Sequence, residues 1–145
     1  MIRRYLLDVN ALVALTSIEH PQYPVAHRWF DSLGDEEWGI CPFTEAGYVR
    51  VVTNPASGPI MRTFPQAAAI LKDLSEQPGY RYWTIADSWA RLAAPLAGRI
   101  FGHQQVTDAY LLGLAIKNDG TLVTFDRGLK YLAGPDYVDN LKILE

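Results

Sequence analysis

Arg3-Arg4-Tyr5-Leu6-Leu7-Asp8-Val9-Asn10 opens the chain with a short apolar run of strand length that ends on an aspartate. Leu122-Val123-Thr124-Phe125-Asp126 has the same arrangement much later in the chain. Such runs are typical of strands that are buried on both faces of a parallel sheet. Because ligands bind at the carboxyl ends of strands in such sheets, Asp8 and Asp126 are predicted to share one edge.

Apolar runs of strand length alternate with stretches of helical period along the whole chain. This alternation predicts an α/β fold in which helices cover both faces of a parallel sheet. The predicted strands are residues 3–7, 38–41, 80–84, 122–125 and 141–144. The predicted helices are residues 10–18 with Asn10 as the cap, 23–33, 44–53 with Thr44 as the cap, 64–76, 88–96 and 106–117.

Length and composition indicate one globular unit. A chain of 145 residues with 49% hydrophobic and 20% charged residues can bury a core, so we expect a single domain over residues 1–145. The lone cysteine, Cys41, can form neither an internal disulfide nor a cysteine-rich zinc site, and it is predicted to be a core residue. The first apolar run is too short for a signal peptide or a membrane span, so we expect an unprocessed cytoplasmic protein without membrane association.

The net charge is −3 and the sequence pI is about 5.6. This balance argues against a protein that holds nucleic acid through a general electrostatic attraction. A nucleic-acid partner would have to be held locally, by arginines and a metal ion.

Two further acids stand at predicted element ends. Glu45 follows Thr44 and Asp108 follows Thr107, each at the start of a helix. An acid in a first helical turn also complements the helix dipole, and an aspartate after a strand often supports a turn. Spacing alone therefore leaves both a structural role and an acidic metal site open.

Four local sequences show a family resemblance, in the same order along the chain as in that family. They are residues 6–15, LLDVNALVAL, residues 44–51, TEAGYVRV, residues 107–115, TDAYLLGLA, and residues 122–129, LVTFDRGL. The set resembles PIN-domain proteins, and in particular the VapC-type toxins of toxin–antitoxin pairs.

The resemblance implies both an architecture and an activity. It implies a three-layer fold with a parallel sheet of about five strands, a homodimer, metal-dependent endoribonuclease activity and a cognate antitoxin protein. It also implies that the acidic active-site residues are Asp8, Glu45, Asp108 and Asp126, with Asn10 and Thr124 as polar neighbours.

The chemistry of phosphodiester cleavage suits such acids. Mg²⁺ or Mn²⁺ prefers oxygen ligands and keeps several waters, so a few carboxylates suffice. We predict that Asp8, Asp108 and Asp126 hold the metal, directly or through water, and that Glu45 completes the set or accepts a proton from the attacking water. Crowded carboxylates repel one another, so at least one pKa should be raised in the metal-free protein.

Other residues are candidates for contact with RNA. Arg127, next to Asp126, is the arginine expected to contact phosphate, and His103 is the histidine expected to reach the substrate. No sequence pattern brings His20 and His27 together with it, so metal-free acid–base chemistry is not favoured. The tryptophans are expected in the core or at a dimer contact. Residues 54–62 are rich in Pro and Gly and fit either an ordered substrate loop or a mobile flap.

Two other classes of function remain open at this point. One is a receiver- or phosphatase-like domain with Asp8 as nucleophile, which leaves Glu45 and Asp108 unexplained. The other is a catalytically silent interaction module, which requires that the acids do not converge. For a toxin, we expect the antitoxin to place an arginine or lysine among the acids and to lay apolar side chains beside the helix predicted over residues 23–33.

Overall fold

The computed structural model describes residues 2–145. One parallel sheet has the strand order β2-β1-β3-β4. Its strands are β1 (Arg4–Leu7), β2 (Glu37–Gly39), β3 (Thr121–Thr124) and β4 (Leu141–Ile143). Leu6 of β1 lies opposite Leu122 on one side and Gly39 on the other. The first strand of the chain therefore lies inside the sheet and not at its edge. The strands pair in parallel, which confirms the prediction of a parallel α/β fold.

The prediction of a fifth strand was wrong, because residues 80–84 do not form a regular strand. The sheet has four strands rather than five. The segment of residues 80–84 runs beside β2 but makes only an isolated parallel bridge, between Trp38 and Tyr80. The Arg81 N–H donates a hydrogen bond to the Trp38 carbonyl at 2.8 Å. We refer to residues 79–83 as the edge segment.

Gly39 explains why the pairing becomes irregular. A Cβ atom built on Gly39 would lie 1.7 Å from the carbonyl oxygen of Arg81, so that carbonyl is packed directly against the glycine. Beyond this contact the Trp83 N–H still donates to the Ile40 carbonyl at 2.9 Å. The pattern of apolar residues predicts that a strand is present, but it does not reveal where a carbonyl turns towards a neighbouring glycine.

Helices cover both faces of the sheet, as predicted. They are α1 (Val9–Thr16), α2 (Tyr23–Asp31), α3 (Pro42–Val52), α4 (Phe64–Ser75), α5 (Trp89–Ala93), α6 (Val106–Lys117) and α7 (Leu129–Ala133). Leu7 and Val123 face the layer of α1 to α4, whereas Leu6 and Leu122 face the layer of α5 to α7. The period-two alternation of β1 and β3 thus divides the core between two layers.

Two predicted caps were wrong. Asp8, not Asn10, caps α1, because its Oδ1 accepts a hydrogen bond from the Val9 N–H at 2.8 Å. α3 begins at Pro42, because proline suits a first helical turn, and Thr44 lies inside the helix as part of its capping box. Its hydroxyl accepts a hydrogen bond from the N–H of Cys41 at 2.9 Å.

Some of the remaining connections contain short 3₁₀ helices. They cover Pro55–Ile60, Ala94–Arg99, His103–Gln105 and Pro135–Asn140. The stretch of residues 54–62 is thus a structured turn, whose Asn54 side chain accepts a hydrogen bond from the Ala56 N–H at 2.9 Å. The helix predicted over residues 88–96 ends early, at Ala93, where the chain tightens into the 3₁₀ helix that contains Pro95.

Cys41 is fully buried, as predicted, and burial raises the pKa of its thiol. Within residues 2–145, no helix has the length and apolar character needed to cross a bilayer.

Replacing Gly39 should destabilise the protein strongly. Gly39→Ala puts a methyl group where the Arg81 carbonyl lies, so the edge segment must move, at a cost of about 2–4 kcal/mol in unfolding free energy. Gly98→Ala is the matched control, because nothing lies within 4 Å of a Cβ built there. Urea denaturation of both variants measures the difference, and equal stability would contradict this account of the sheet edge.

Candidate active site

Asp8 is held at the carboxyl end of β1. Its side chain is buried, with 8% of the residue exposed, and Oδ2 accepts a hydrogen bond from the Thr124 hydroxyl at 2.8 Å. Burial raises the pKa of this carboxyl, the hydrogen bonds from Thr124 and Val9 oppose the rise, and the charge of Asp126 adds to it. The carboxylate is therefore fixed in place at an electrostatic cost.

Thr124 and Asn10 join the ends of the two central strands. Thr124 is fully buried at the end of β3, and its Oγ1 accepts hydrogen bonds from the Asn10 amide and from the Asp126 N–H, both at 3.1 Å. The Asn10 Oδ1 accepts a hydrogen bond from the Phe125 N–H at 3.0 Å. The two residues predicted to be polar neighbours of the acids thus contact the chain around Asp8 and Asp126 directly.

Asp126 lies at the exposed side of this edge. Its Oδ1 accepts a hydrogen bond from the Gly128 N–H at 2.9 Å, which closes the turn into α7. The carboxylate is exposed to solvent. Of the acids at this edge, it is the one most open to a ligand.

Asp108 lies in the first turn of α6. Burial, followed by the charges of Asp8 and Asp126, raises the pKa of its carboxyl to about 6. Each of these causes acts in the same direction. The charges of Asp8 and Asp126 therefore act on Asp108, as expected for crowded carboxylates, and burial is the larger cause of the rise in its pKa.

Glu45 does not share this environment. It lies in the first turn of α3, and its Oε1 accepts a hydrogen bond from the Tyr82 hydroxyl at 2.7 Å. Its charge contributes to the raised pKa values of Cys41, Tyr80 and Tyr82, and it is not among the causes of the shifts of Asp8 and Asp108. The structure thus gathers the aspartates and holds Glu45 beside Tyr82.

Sequence reasoning did not identify Tyr82 as a site residue. The only available signal was the aromatic character of residues 80–83, which equally fits a core strand. The position of Tyr82 depends on the irregular path of the edge segment. That path is set by tertiary contacts, which sequence patterns do not report.

The donor set suits a hard cation that keeps some of its waters. Within residues 2–145, no group of three or more His, Cys, Asp or Glu side chains is arranged so that it could hold a metal ion by itself. Mg²⁺, however, is usually held by one or two carboxylates and several waters. Carboxylates that raise one another's pKa fit such a cation, because it would relieve their repulsion.

The residues predicted to contact RNA lie outside this cluster. Arg127 is exposed and pairs with Glu145 at 3.2 Å, and His103 is exposed in the short 3₁₀ helix before α6. His27 pairs with Asp31 at 3.2 Å within α2.

The tryptophans have mainly structural roles. Trp38 and Trp83 are buried, and Trp29 packs edge-on against Tyr5 with ring centroids 5.5 Å apart. Trp89 donates a hydrogen bond from Nε1 to the Val106 carbonyl at 2.9 Å.

Comparison with known proteins places this arrangement in a family. The family model described as PIN domain matches residues 5–135, a stretch that contains all four predicted acids. The chain belongs to the PIN-domain family. This confirms the resemblance seen in the four local sequences.

Relatives of this PIN domain include ribonucleases of Mycobacterium tuberculosis. Ribonuclease VapC38 is 42% identical over 128 residues, covering 88% of this chain and 89% of the relative. Ribonuclease VapC39 is 35% identical over 138 residues, covering 94% of this chain and 98% of the relative.

Solved structures share the fold of this PIN domain. VapBC2 from Rickettsia felis, bound to a DNA fragment from its promoter, matches with a TM-score of 0.68 at 17% identity, covering 98% of this chain and 99% of that chain. The Mycobacterium tuberculosis toxin VapC20 matches with a TM-score of 0.64 at 10% identity, covering 97% of this chain and 99% of that chain. At these identities the likeness concerns the fold.

Neutralising Asp108 should stabilise the PIN domain at neutral pH. The folded-state pKa, about 6, lies above the ordinary value, so the stabilising effect of the protonated form is complete below pH ~4 and is lost as the pH rises through about 6. Asp108→Asn should therefore unfold at higher denaturant than wild type above pH ~6. After allowance for solvent screening, the gain is on the order of 1–2 kcal/mol.

The control for this prediction is Asp35→Asn, because Asp35 is an exposed aspartate outside the cluster. Denaturation curves of both variants and wild type between pH 4 and pH 8 measure the effect. An advantage of Asp108→Asn that is the same at every pH would show that repulsion among the aspartates is not its cause.

Proposed function

We propose that this PIN domain is a Mg²⁺- or Mn²⁺-dependent endoribonuclease and the toxin component of a toxin–antitoxin pair. The observation that carries the proposal is the convergence of Asp8, Asp108 and Asp126, where burial, followed by the charges of Asp8 and Asp126, raises the pKa of Asp108 to about 6. The relatives named as VapC ribonucleases support RNA as the substrate.

In this proposal Asp8, Asp108 and Asp126 hold the cation, directly or through water. When bound, such a cation neutralises charge on the phosphate oxygens and lowers the pKa of a bound water. The chain's own contribution is to fix the position of the Asp8 carboxylate. Thr124 fixes one oxygen of Asp8, and Asn10 keeps Thr124 in place.

Glu45 is proposed to complete the acidic set, as a further ligand or as the group that accepts a proton from the attacking water. The hydrogen bond to Tyr82 engages Oε1, so Oε2 is the atom assigned to this task. Arg127 is proposed to contact an RNA phosphate after leaving Glu145, and His103 to contact the substrate beside α6. Because the net charge is −3, these contacts must be local.

The other classes of function are less well supported. A phosphoryl-transfer domain with Asp8 as nucleophile gives no role to Asp108, whose carboxyl lies within electrostatic reach of Asp8 and Asp126. A silent interaction module gives no reason to gather carboxylates at an electrostatic cost. Hydrolysis assisted by a cation is the chemistry that accounts for the gathered charges.

An antitoxin partner is proposed on two grounds. The solved neighbour from Rickettsia felis is described as a VapBC2 assembly. In this chain, α2 and α4 enclose a groove of about 300 Å³ with apolar walls that include Phe30, Ile70 and Leu74. The groove lies beside α2, the helix predicted to receive apolar side chains of the inhibitor, and it can accept a short amphipathic segment. The homodimer stays a prediction.

Cleavage of RNA should require both the cation and the aspartates. Asp8→Asn and Asp108→Asn keep the side-chain shape and remove a charge, so cleavage should fall by a factor on the order of a hundred or more. A chelator should have the same effect on wild type. A gel assay with a defined RNA and Mn²⁺ or Mg²⁺ measures the rates.

The control for this prediction is His27→Ala, because His27 is exposed and pairs with Asp31 on its own helix. This variant should keep nearly the full rate. Loss of cleavage in His27→Ala together with full activity in Asp108→Asn would indicate acid–base chemistry without a metal.

Production of the chain in a cell should arrest growth. A free ribonuclease damages cellular RNA, so we expect arrest with wild type, relief with the small protein encoded beside it, and no arrest with Asp8→Asn. Growth curves and RNA integrity, with protein levels checked by blotting, measure this. Normal growth with intact RNA at a confirmed protein level would reject the toxin role and leave a housekeeping nuclease.

A further inference from the structure

The edge segment presents a tyrosine to Glu45. The Trp83 N–H donates to the Ile40 carbonyl at 2.9 Å, and the Trp83 side chain is buried. Tyr82, between the paired residues 81 and 83, is 45% exposed, and its hydroxyl donates to Glu45 at 2.7 Å. Backbone pairing thus places the Tyr82 hydroxyl beside Glu45. Within residues 2–145, this hydroxyl is the only hydrogen-bond donor to the Glu45 carboxylate.

We propose that Tyr82 is a positioning residue that holds the Glu45 carboxylate ready for its role in the acidic site. This inference rests on the proposed function and adds a residue to it. Tyr82 itself contacts neither the reacting atoms nor the three aspartates. It acts through Glu45 by occupying Oε1 and leaving Oε2 for the cation or a proton.

Positioning of Glu45 by Tyr82 matters because it orders and orients the Glu45 side chain before binding. A glutamate has several rotatable bonds, and ordering it at the moment of binding costs free energy. A hydrogen bond from a residue anchored by the sheet fixes the carboxylate in advance. In metal sites, loss of such a supporting partner typically weakens metal affinity or activity by about 10–100-fold.

Gly39 links this role to the fold. The close approach of the Arg81 carbonyl to Gly39 sets the path of the edge segment, and the next residue along that path is Tyr82. The segment that fails to form a regular fifth strand is therefore the segment that supplies the hydroxyl.

The test uses Tyr82→Phe, which keeps the ring and removes the hydroxyl. We expect kcat for RNA cleavage to fall about tenfold with KM within about twofold, and the Mn²⁺ dissociation constant, measured by calorimetry, to rise about tenfold. Tyr80→Phe is the matched control. It loses the same atom two residues away, where the ring packs against Trp38 with centroids 5.2 Å apart, and it should behave as wild type.

A double-mutant cycle distinguishes positioning from a general structural effect. In a Glu45→Gln background, adding Tyr82→Phe should lower kcat and Mn²⁺ affinity by much less than tenfold, because the carboxylate that it serves is already gone. Full additivity of the two substitutions would overturn the proposal, as would wild-type values for Tyr82→Phe alone.

Failure of this proposal is separable from failure of the proposed function. If wild type cleaves RNA and binds Mn²⁺ while Tyr82→Phe matches Tyr80→Phe, only the role of Tyr82 is rejected. If wild type neither cleaves RNA nor binds Mn²⁺, the proposed function is rejected and the positioning role with it.

Discussion

The hydrogen bond from Thr124 to Asp8 is the interaction on which the site depends. It joins the ends of β1 and β3, which are 116 residues apart in sequence, and it is buried. A hydrogen bond to a charged group contributes about 1.5–3 kcal/mol, and leaving a buried carboxylate without its donor costs more. The bond therefore fixes where the two strands end relative to one another, and both Asn10 and the turn at Asp126 are attached to Thr124.

Gathering carboxylates works against folding. Burial raises the pKa of Asp8 and Asp108, and the neighbouring charges raise both further. The chain tolerates this because the apolar layers on the two faces of the sheet supply the stability, with Leu6 and Leu122 buried on one side and Leu7 and Val123 on the other. The core thus supports a charged edge that is unfavourable by itself.

Much of the fold and part of the site could be predicted from the sequence. Short apolar runs identified β1 and β3, and the ordered motifs assigned Asp8, Glu45, Asp108 and Asp126 to one site, because strand ends and helix starts meet at one edge. The structure brings the charges of Asp8 and Asp126 to bear on Asp108 and holds Glu45 beside Tyr82. The irregular pairing of residues 80–84 could not be predicted, because it involves a contact between Gly39 and the Arg81 carbonyl, which is distant in sequence. The hydrogen bond between Tyr82 and Glu45 could not be predicted either, because secondary-structure propensity does not indicate which side chain an exposed hydroxyl will contact.

The central position of β1 has a consequence for biosynthesis. β1 is made first, yet it pairs with β3, which begins at Thr121, and β3 pairs in turn with β4. Such long-range pairings must wait for the distant partner and cannot form as the chain emerges. Until residues 121–126 have left the ribosome, Asp8 lacks its donor from Thr124 and Asp126 cannot join Asp8 and Asp108. A nascent chain that is still attached to the ribosome, close to ribosomal RNA, therefore has no assembled acidic cluster.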